Sequence, residues 1–199
     1  MSAPLVLASG SEIRQTLLRN AAVPFEAHPV RIDEEAVRQS MMAEGAPPRD
    51  IADTLAEMKA SKAAQKFPDR MVLGSDQVLD LNGKVLAKPE TPEEARAQLA
   101  DLNGKRHSLL SAAVIYDQGK PVWRHVGQVR LQMRRASEAY LDDYVARNWD
   151  SVRHSVGAYK LEEEGVRLFA RIEGDYFTVL GLPLIQLLSY LTLRGVIEG

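Results

Sequence analysis

The spacing of apolar positions along the chain predicts a mixture of strands and helices. Short apolar runs and alternating segments predict strands at 5–8, 71–74, 79–81, 84–86, 107–116, 121–133 and 166–172. Apolar residues three and four positions apart predict helices at 11–20, 49–66, 92–102, from 137 onward and from 183 to 195. Asn82-Gly83 predicts a tight hairpin turn, and Ser11 and Thr91 are placed to cap helices. Because strands and helices do not alternate strictly, the sequence predicts an α/β fold with a mixed central sheet flanked by helices.

Composition narrows the class of protein. The 199 residues include 45% hydrophobic side chains, enough for one packed domain over 1–199. The net charge of −2 disfavours a protein that binds the nucleic-acid backbone. The absence of cysteine excludes disulfides, a thiolate nucleophile and cysteine-ligated zinc. With neither a basic leader nor a long apolar run, the sequence predicts no signal peptide and no membrane span, and it favours the cytoplasm.

The segment 9–14 is a candidate phosphate site. It joins the first predicted strand to the first predicted helix, and the N-terminus of a helix presents free amides to anions. Ser9 and Ser11 add hydroxyl donors, and Arg14 adds a bidentate guanidinium. On spacing alone, a serine-capped helix with a surface arginine is the simpler interpretation.

Asp76 is a candidate metal ligand. It stands between the apolar pairs Val72-Leu73 and Val78-Leu79, and a buried carboxylate is costly unless it meets a cation or hydrogen bonds. One or two such carboxylates hold Mg²⁺ on phosphates, and Glu34 is a candidate for the second. A turn aspartate and a solvated helix start are the alternatives for these positions.

Two lysines are candidates to neutralise phosphate oxygens. Lys59 shares a predicted helix face with Leu55, and Lys88 precedes a proline. Lone lysines are usually solvated, so that alternative stays open for both. Ile51, Leu55, Met58 and Lys62 fall at helical spacing and predict an amphipathic helix over 49–66.

The segments 157–162 and 174–183 are candidates for contact with the rest of a ligand. Their small residues let backbone approach a bound molecule closely, and Glu162 can accept hydrogen bonds from a base edge. Tight packing under two loops is the alternative. The histidines lack metal-ligand spacing, and the Walker and nucleophile-elbow motifs are missing.

Taken in order, these segments resemble the Maf family of nucleotide pyrophosphatases. The matching pieces are LVLASGSEIRQTLL at 5–18, IDE at 32–34, LAEMKA at 55–60, LGSDQV at 73–78, KVLAKP at 84–89, LNGKRHS at 102–108, GAYKLE at 157–162 and IEGDYFTVLGLPL at 172–184. They span nearly the whole chain in the family's order, which makes the set specific although each piece is weak.

The resemblance implies a fold like that of the inosine-triphosphate pyrophosphatases, with a cleft between two lobes, and a homodimer. It implies hydrolysis of a nucleoside triphosphate to the monophosphate and pyrophosphate with Mg²⁺ or Mn²⁺. Asp76 matches the acid–base position and Glu34 matches a carboxylate of a family motif; these two carboxylates are expected to hold the metal. The phosphate-handling positions of the family are matched by Ser9, Arg14, Lys59 and Lys88.

Three positions bear on the base. Gln77 and Glu162 match the branch of the family that prefers 7-methyl-GTP, whereas the branch acting on dTTP and UTP typically has threonine and glutamine there. The 7-methyl-GTP branch typically has tryptophan where Ile13 stands and proline where Glu12 stands. Ile13 therefore departs from the pattern of that branch, because an indole can stack on a cationic purine and an isoleucine side chain cannot.

Two rival hypotheses remain. The family has been linked to septum formation, so the chain is alternatively a nucleotide-binding regulator of cell division without turnover. A nucleic-acid-binding module is disfavoured, because basic and aromatic residues are not interleaved.

Overall fold

The computed structural model describes residues 4–198 as a mixed α/β fold, which confirms the predicted class. The strands are β1 (Leu5–Leu7), β2 (Phe25–Ala27), β3 (Val72–Leu81), β4 (Lys84–Leu86), β5 (Arg106–Asp117), β6 (Lys120–Met133) and β7 (Phe169–Glu173). The helices are α1 (Glu12–Asn20), α2 (Glu34–Ala43), α3 (Pro48–Ala64), α4 (Pro92–Leu102), α5 (Glu138–Val152), α6 (Tyr176–Val179) and α7 (Leu184–Leu193). None of the described helices is long and apolar enough to cross a membrane.

The central sheet is mixed. Its strand order is β2-β1-β3-β5-β6-β7, and β4 pairs with β3. β1 pairs in parallel with β2 and β3, and helices supply the crossovers that parallel strands require. β3–β4 and β6–β7 are antiparallel. Asn82 and Gly83 have φ of 53° and 89°, the left-handed pair that a two-residue hairpin demands.

The chain forms two compact units. The first comprises the chain through Gln77, Ser111–Gly127 and the residues from Tyr176 onward, and the second comprises Val78–Leu110 and Gln128–Asp175. Strands β3, β5 and β6 contribute residues to both units. The first unit buries Leu7, Leu18, Ile51, Leu55, Leu73 and Ile115, and the second buries Leu79, Leu99, Leu102, Leu109 and Tyr144.

Helix α3 lies directly on β3 because small residues face each other there. A Cβ added at Gly74 would fall 2.1 Å from the carbonyl oxygen of Ala56 and 2.6 Å from the amide nitrogen of Ala60. Only glycine therefore permits this approach. The buried positions of α3 are Ile51, Ala52, Leu55, Ala56, Lys59, Ala60, Ala63 and Ala64.

Two predictions about local structure need correction. Met58 and Lys62 are exposed, because alanines and Lys59 form the buried stripe of α3 instead. The strand predicted over 166–172 is β7, which begins only at Phe169, since 164–168 forms a 3₁₀ turn that contains the crowded Gly165. Glu34 is the first residue of α2, and Asp33 caps that helix.

Candidate active site

Lys59 joins two carboxylates in the first unit. Its Nζ lies 2.6 Å from Asp76 Oδ1 and 2.7 Å from Glu34 Oε1, so those two oxygens are at most about 5.3 Å apart, the sum of the two distances. The side chains of Lys59 and Asp76 are 9% and 7% exposed, and that of Glu34 is 38% exposed. Buried ion pairs seldom repay their desolvation as stability, which points to a functional reason for this one.

Asp76 keeps one oxygen available. Oδ1 accepts from Lys59, whereas Oδ2 is buried without a hydrogen-bond partner in the described chain. A buried carboxylate oxygen without a partner is costly, so it marks a place where a ligand, water or cation completes the contacts. A divalent cation bound at this carboxylate would explain the unpartnered Oδ2, whereas a purely structural ion pair would not.

The pairing of β1 with β3 explains why these groups meet. The parallel register joins Leu7 to Leu73. Past that pair, the backbone leaves β1 toward Ser9 and continues along β3 to Asp76. Ligands in open α/β sheets bind beyond the carboxyl ends of parallel strands, because loops and helix N-termini gather there. Gly74 then brings α3 close enough for Lys59 to reach Asp76.

Arg14 is buried and held by three acceptors. Nε donates to the Gly181 carbonyl at 2.8 Å, and Nη1 donates to Ser9 Oγ at 3.2 Å and to the Ser75 carbonyl at 3.1 Å. Burial lowers the pKa of Arg14, while Asp76 and Glu34 act in the opposite direction. The surface arginine weighed from spacing is therefore wrong, since Arg14 is 8% exposed.

Ser9 and Ser11 organise the start of α1. Ser11 accepts from the Arg14 amide, as predicted for the cap, although at a long 3.5 Å. Ser9 Oγ accepts from the Ser11 amide at 3.3 Å as well as from Arg14. A hydroxyl has two lone pairs and one proton, so these contacts leave the proton of Ser9 as a donor.

Gly181 closes the arrangement from the segment before α7. Its carbonyl accepts from Arg14 and from Ser75 Oγ, the latter at 3.1 Å. Its φ of +99° is one that other residues rarely adopt, and an added Cβ would meet Arg14 Nη2 at 3.3 Å. Gly181 lies in the candidate segment 174–183, but its contact to Arg14 carries no signal in the sequence.

Gln77 is half-buried, and its side-chain amide faces protein. Nε2 lies 2.9 Å from Ser111 Oγ and from the Val179 carbonyl, and 3.1 Å from the Thr178 carbonyl. Ser111, which is fully buried, was not among the predicted site residues. The available signal was one serine inside the apolar run of β5, since a buried hydroxyl requires a partner.

The three remaining predicted site residues are Ile13, Lys88 and Glu162. Ile13 is half-buried in the first turn of α1, in the first unit. Lys88 and Glu162 belong to the second unit and are exposed. The structure brings together Ser9, Arg14, Glu34, Lys59 and Asp76 in the first unit, linked by hydrogen bonds, ion pairs and electrostatic interactions.

The fold and this cluster define an α/β protein with buried acidic and basic groups next to the point where the parallel pairing of β1 and β3 ends. Comparison with known families is specific: the model of the Maf-like protein family matches residues 4–193. The chain therefore belongs to the Maf-like family, as the ordered motifs predicted.

Relatives over the full length support this membership. A protein of Ruegeria pomeroyi named nucleoside triphosphate pyrophosphatase is 65% identical over 100% of both chains. One of the same name from Roseobacter denitrificans is 66% identical over 98% of both. A Rhizobium meliloti protein named 7-methyl-GTP pyrophosphatase is 46% identical, again over 98% of both.

Proposed function

We propose that this protein hydrolyses a nucleoside triphosphate to the monophosphate and pyrophosphate. The observation that carries the proposal is the buried Lys59–Asp76 pair with Asp76 Oδ2 left without a partner. Full-length relatives named for this activity support it.

The residues of the first unit have distinct roles in this proposal. Asp76 orients the attacking water and takes its proton at Oδ2, because Oδ1 is engaged by Lys59. Arg14 has committed Nε and both protons of Nη1, which leaves the two Nη2 donors for a phosphate oxygen. The proton of Ser9 and the first amides of α1 add further donors. Lys59 offsets charge that develops on the phosphate as the α–β bond breaks.

A divalent cation fits the donor set. Asp76 and Glu34 would hold Mg²⁺ or Mn²⁺, which commonly takes one or two carboxylates and completes its shell with water and phosphate oxygens. Among residues 4–198, no group of three or more histidine, cysteine, aspartate or glutamate side chains could hold a metal ion, and we assign only Asp76 and Glu34 to the cation. When bound, the cation would neutralise phosphate charge and lower the pKa of a bound water.

The remaining assignments rest on the family resemblance. Lys88 is proposed as a phosphate-handling residue, and Ile13, Gln77 and Glu162 as residues that bear on the base. A guanine-type nucleotide such as 7-methyl-GTP is the proposed class, in keeping with the name of the Rhizobium meliloti relative. On the same family resemblance we propose a homodimer, a cytoplasmic location and the lack of a nucleic-acid partner.

Pyrophosphate release from a panel of canonical and modified triphosphates, with Mg²⁺ and with chelator, tests the activity. Asp76→Asn keeps the size of the side chain and removes its charge, so turnover should fall by roughly 10²-fold or more. Asp80→Asn is the matched control, since Asp80 lies on the same strand but accepts from Gly83 in the hairpin turn. Normal turnover in folded Asp76→Asn would leave the pair with only a structural role.

The rival regulator of cell division predicts a different result. A regulator of this kind would bind the same nucleotides through Arg14 and Lys59, but it would release no pyrophosphate when a divalent cation is added. Tight binding without turnover across the whole panel would favour that function over hydrolysis.

A further inference from the structure

The amide of Gln77 is enclosed by acceptors within the first unit. Ser111 Oγ, the Thr178 carbonyl and the Val179 carbonyl all lie within 3.1 Å of Nε2. Ser111 Oγ donates its own proton to the Thr178 carbonyl at 2.7 Å, so it faces Gln77 with a lone pair.

The carbonyls come from the last turn of α6. The final carbonyls of a helix have no partners inside it and must be satisfied elsewhere. Gln77 therefore caps α6 from β3, and Ser111 shares that work from β5. Gln77 donates to the Val179 carbonyl, and at the Thr178 carbonyl both side chains join the Gly181 amide, which donates there at 3.2 Å.

This network decides which end of the Gln77 amide faces protein. If the amide were reversed, Oε1 would lie against two carbonyl oxygens. Ser111 could not relieve that repulsion, because its proton is already given to Thr178. The amino end is consequently committed to the protein, and the carbonyl oxygen is the end that remains for a ligand.

We propose that Ser111 is a positioning residue for base selection, which fixes Gln77 so that it offers the base a hydrogen-bond acceptor and no donor. The matching substrate is a nucleotide whose base edge carries an amino group, as guanine does. The inference rests on the proposed function and adds to it the direction of the hydrogen bond and the residue that enforces it.

The enzymatic test compares GTP with ITP, which lacks the 2-amino group of guanine. Wild type should prefer GTP by kcat/KM. Ser111→Ala removes one acceptor, so the preference should fall by roughly fivefold, the effect of one hydrogen bond. The change should appear in KM more than in kcat, since Ser111 contacts none of the phosphate-handling residues in this proposal.

The matched control is Ser108→Ala. Ser108 also lies on β5 but accepts from Gln128 and not from Gln77. Its removal should leave the GTP to ITP ratio unchanged. A wild type that does not distinguish the two nucleotides, or Ser111→Ala with an unchanged ratio, would overturn the proposal.

A second measurement separates this inference from the proposed function. In the ligand-free protein, NMR should show slow hydrogen exchange for the Gln77 side-chain amide, and Ser111→Ala should accelerate it by roughly fivefold. Gln77→Glu, which sets a carboxylate oxygen against the α6 carbonyls, should lower the thermal midpoint. Rapid exchange in wild type refutes the clamp itself, whereas protected amide protons in a protein that hydrolyses no triphosphate refute the proposed function.

Discussion

Replacing Gly74 by alanine should disturb both the fold and the candidate site. The new Cβ would lie 2.1 Å from the Ala56 carbonyl oxygen, whereas real Cβ atoms essentially never approach closer than 3.0 Å. Helix α3 and strand β3 must therefore separate by at least about 0.9 Å at this point, the difference between those distances. The atoms in the way are backbone, so rotation of a side chain cannot relieve the contact.

The expected cost follows from that displacement. Overpacking of a core costs about 1–3 kcal/mol, and the upper end applies because two elements must move. Lys59 lies on α3 between Ala56 and Ala60, so its 2.6 Å contact to Asp76 is lengthened. A displacement of about 1 Å at a reacting group can reduce turnover by roughly 10²-fold.

Denaturant unfolding and pyrophosphate release from Gly74→Ala measure the two effects. Gly10→Ala controls for stability, because its Cβ would meet nothing closer than Pro29 Cγ at 3.5 Å and the unfolding free energy should stay within about 0.5 kcal/mol. Adding Ala60→Gly should not restore Gly74→Ala, since the backbone clash with Ala56 persists. Wild-type stability and turnover in Gly74→Ala would refute the reasoning.

Two further predictions concern a histidine and a glycine. Burial lowers the pKa of His107 from 6.5 to about 4, so between these values the unfolded chain binds a proton that the folded chain does not, and stability falls as pH drops. This histidine should account for about 2 kcal/mol of lost unfolding free energy between about pH 7.5 and about pH 5, and His107→Gln should lose correspondingly less. Gly181→Ala places alanine at a φ of +99° and in contact with Arg14. It should lower the free energy of unfolding by about 1–3 kcal/mol and should also reduce turnover. Gly195→Ala, at a φ of +66° with nothing within 4 Å, isolates the backbone strain; equal losses in the two variants would show that the Arg14 contact is unimportant.

Local chemistry made several elements predictable. The hairpin at Asn82-Gly83 depends on two adjacent residues that accept positive φ, and the starts of α1, α4 and α5 depend on hydroxyl caps within three residues. The ordered motifs likewise gave the family. In each case the interacting groups are neighbours in the chain, so the pattern alone carries the signal.

The first turn before β7 shows where local pattern failed. Apolar alternation predicted a strand from 166, but Gly165 would place a Cβ 2.4 Å from the Lys160 carbonyl, which marks a tight turn. The chain enters β7 only at Phe169. Contacts to α5, in which Glu164 accepts from Arg147 and Asn148, hold this turn and are invisible in sequence spacing.

The candidate site depended on packing. Sequence indicated that Lys59 and Asp76 were chemically suitable, yet only the close approach of α3 to Gly74 places Nζ 2.6 Å from the carboxylate. In the sequence Ser111 is one serine within an apolar run, and only the packing of β5 places it in contact with Gln77. Helix caps and turns are determined by the chain itself because their partners are a few residues away, whereas pairs separated by many residues acquire their geometry and burial only when the elements pack.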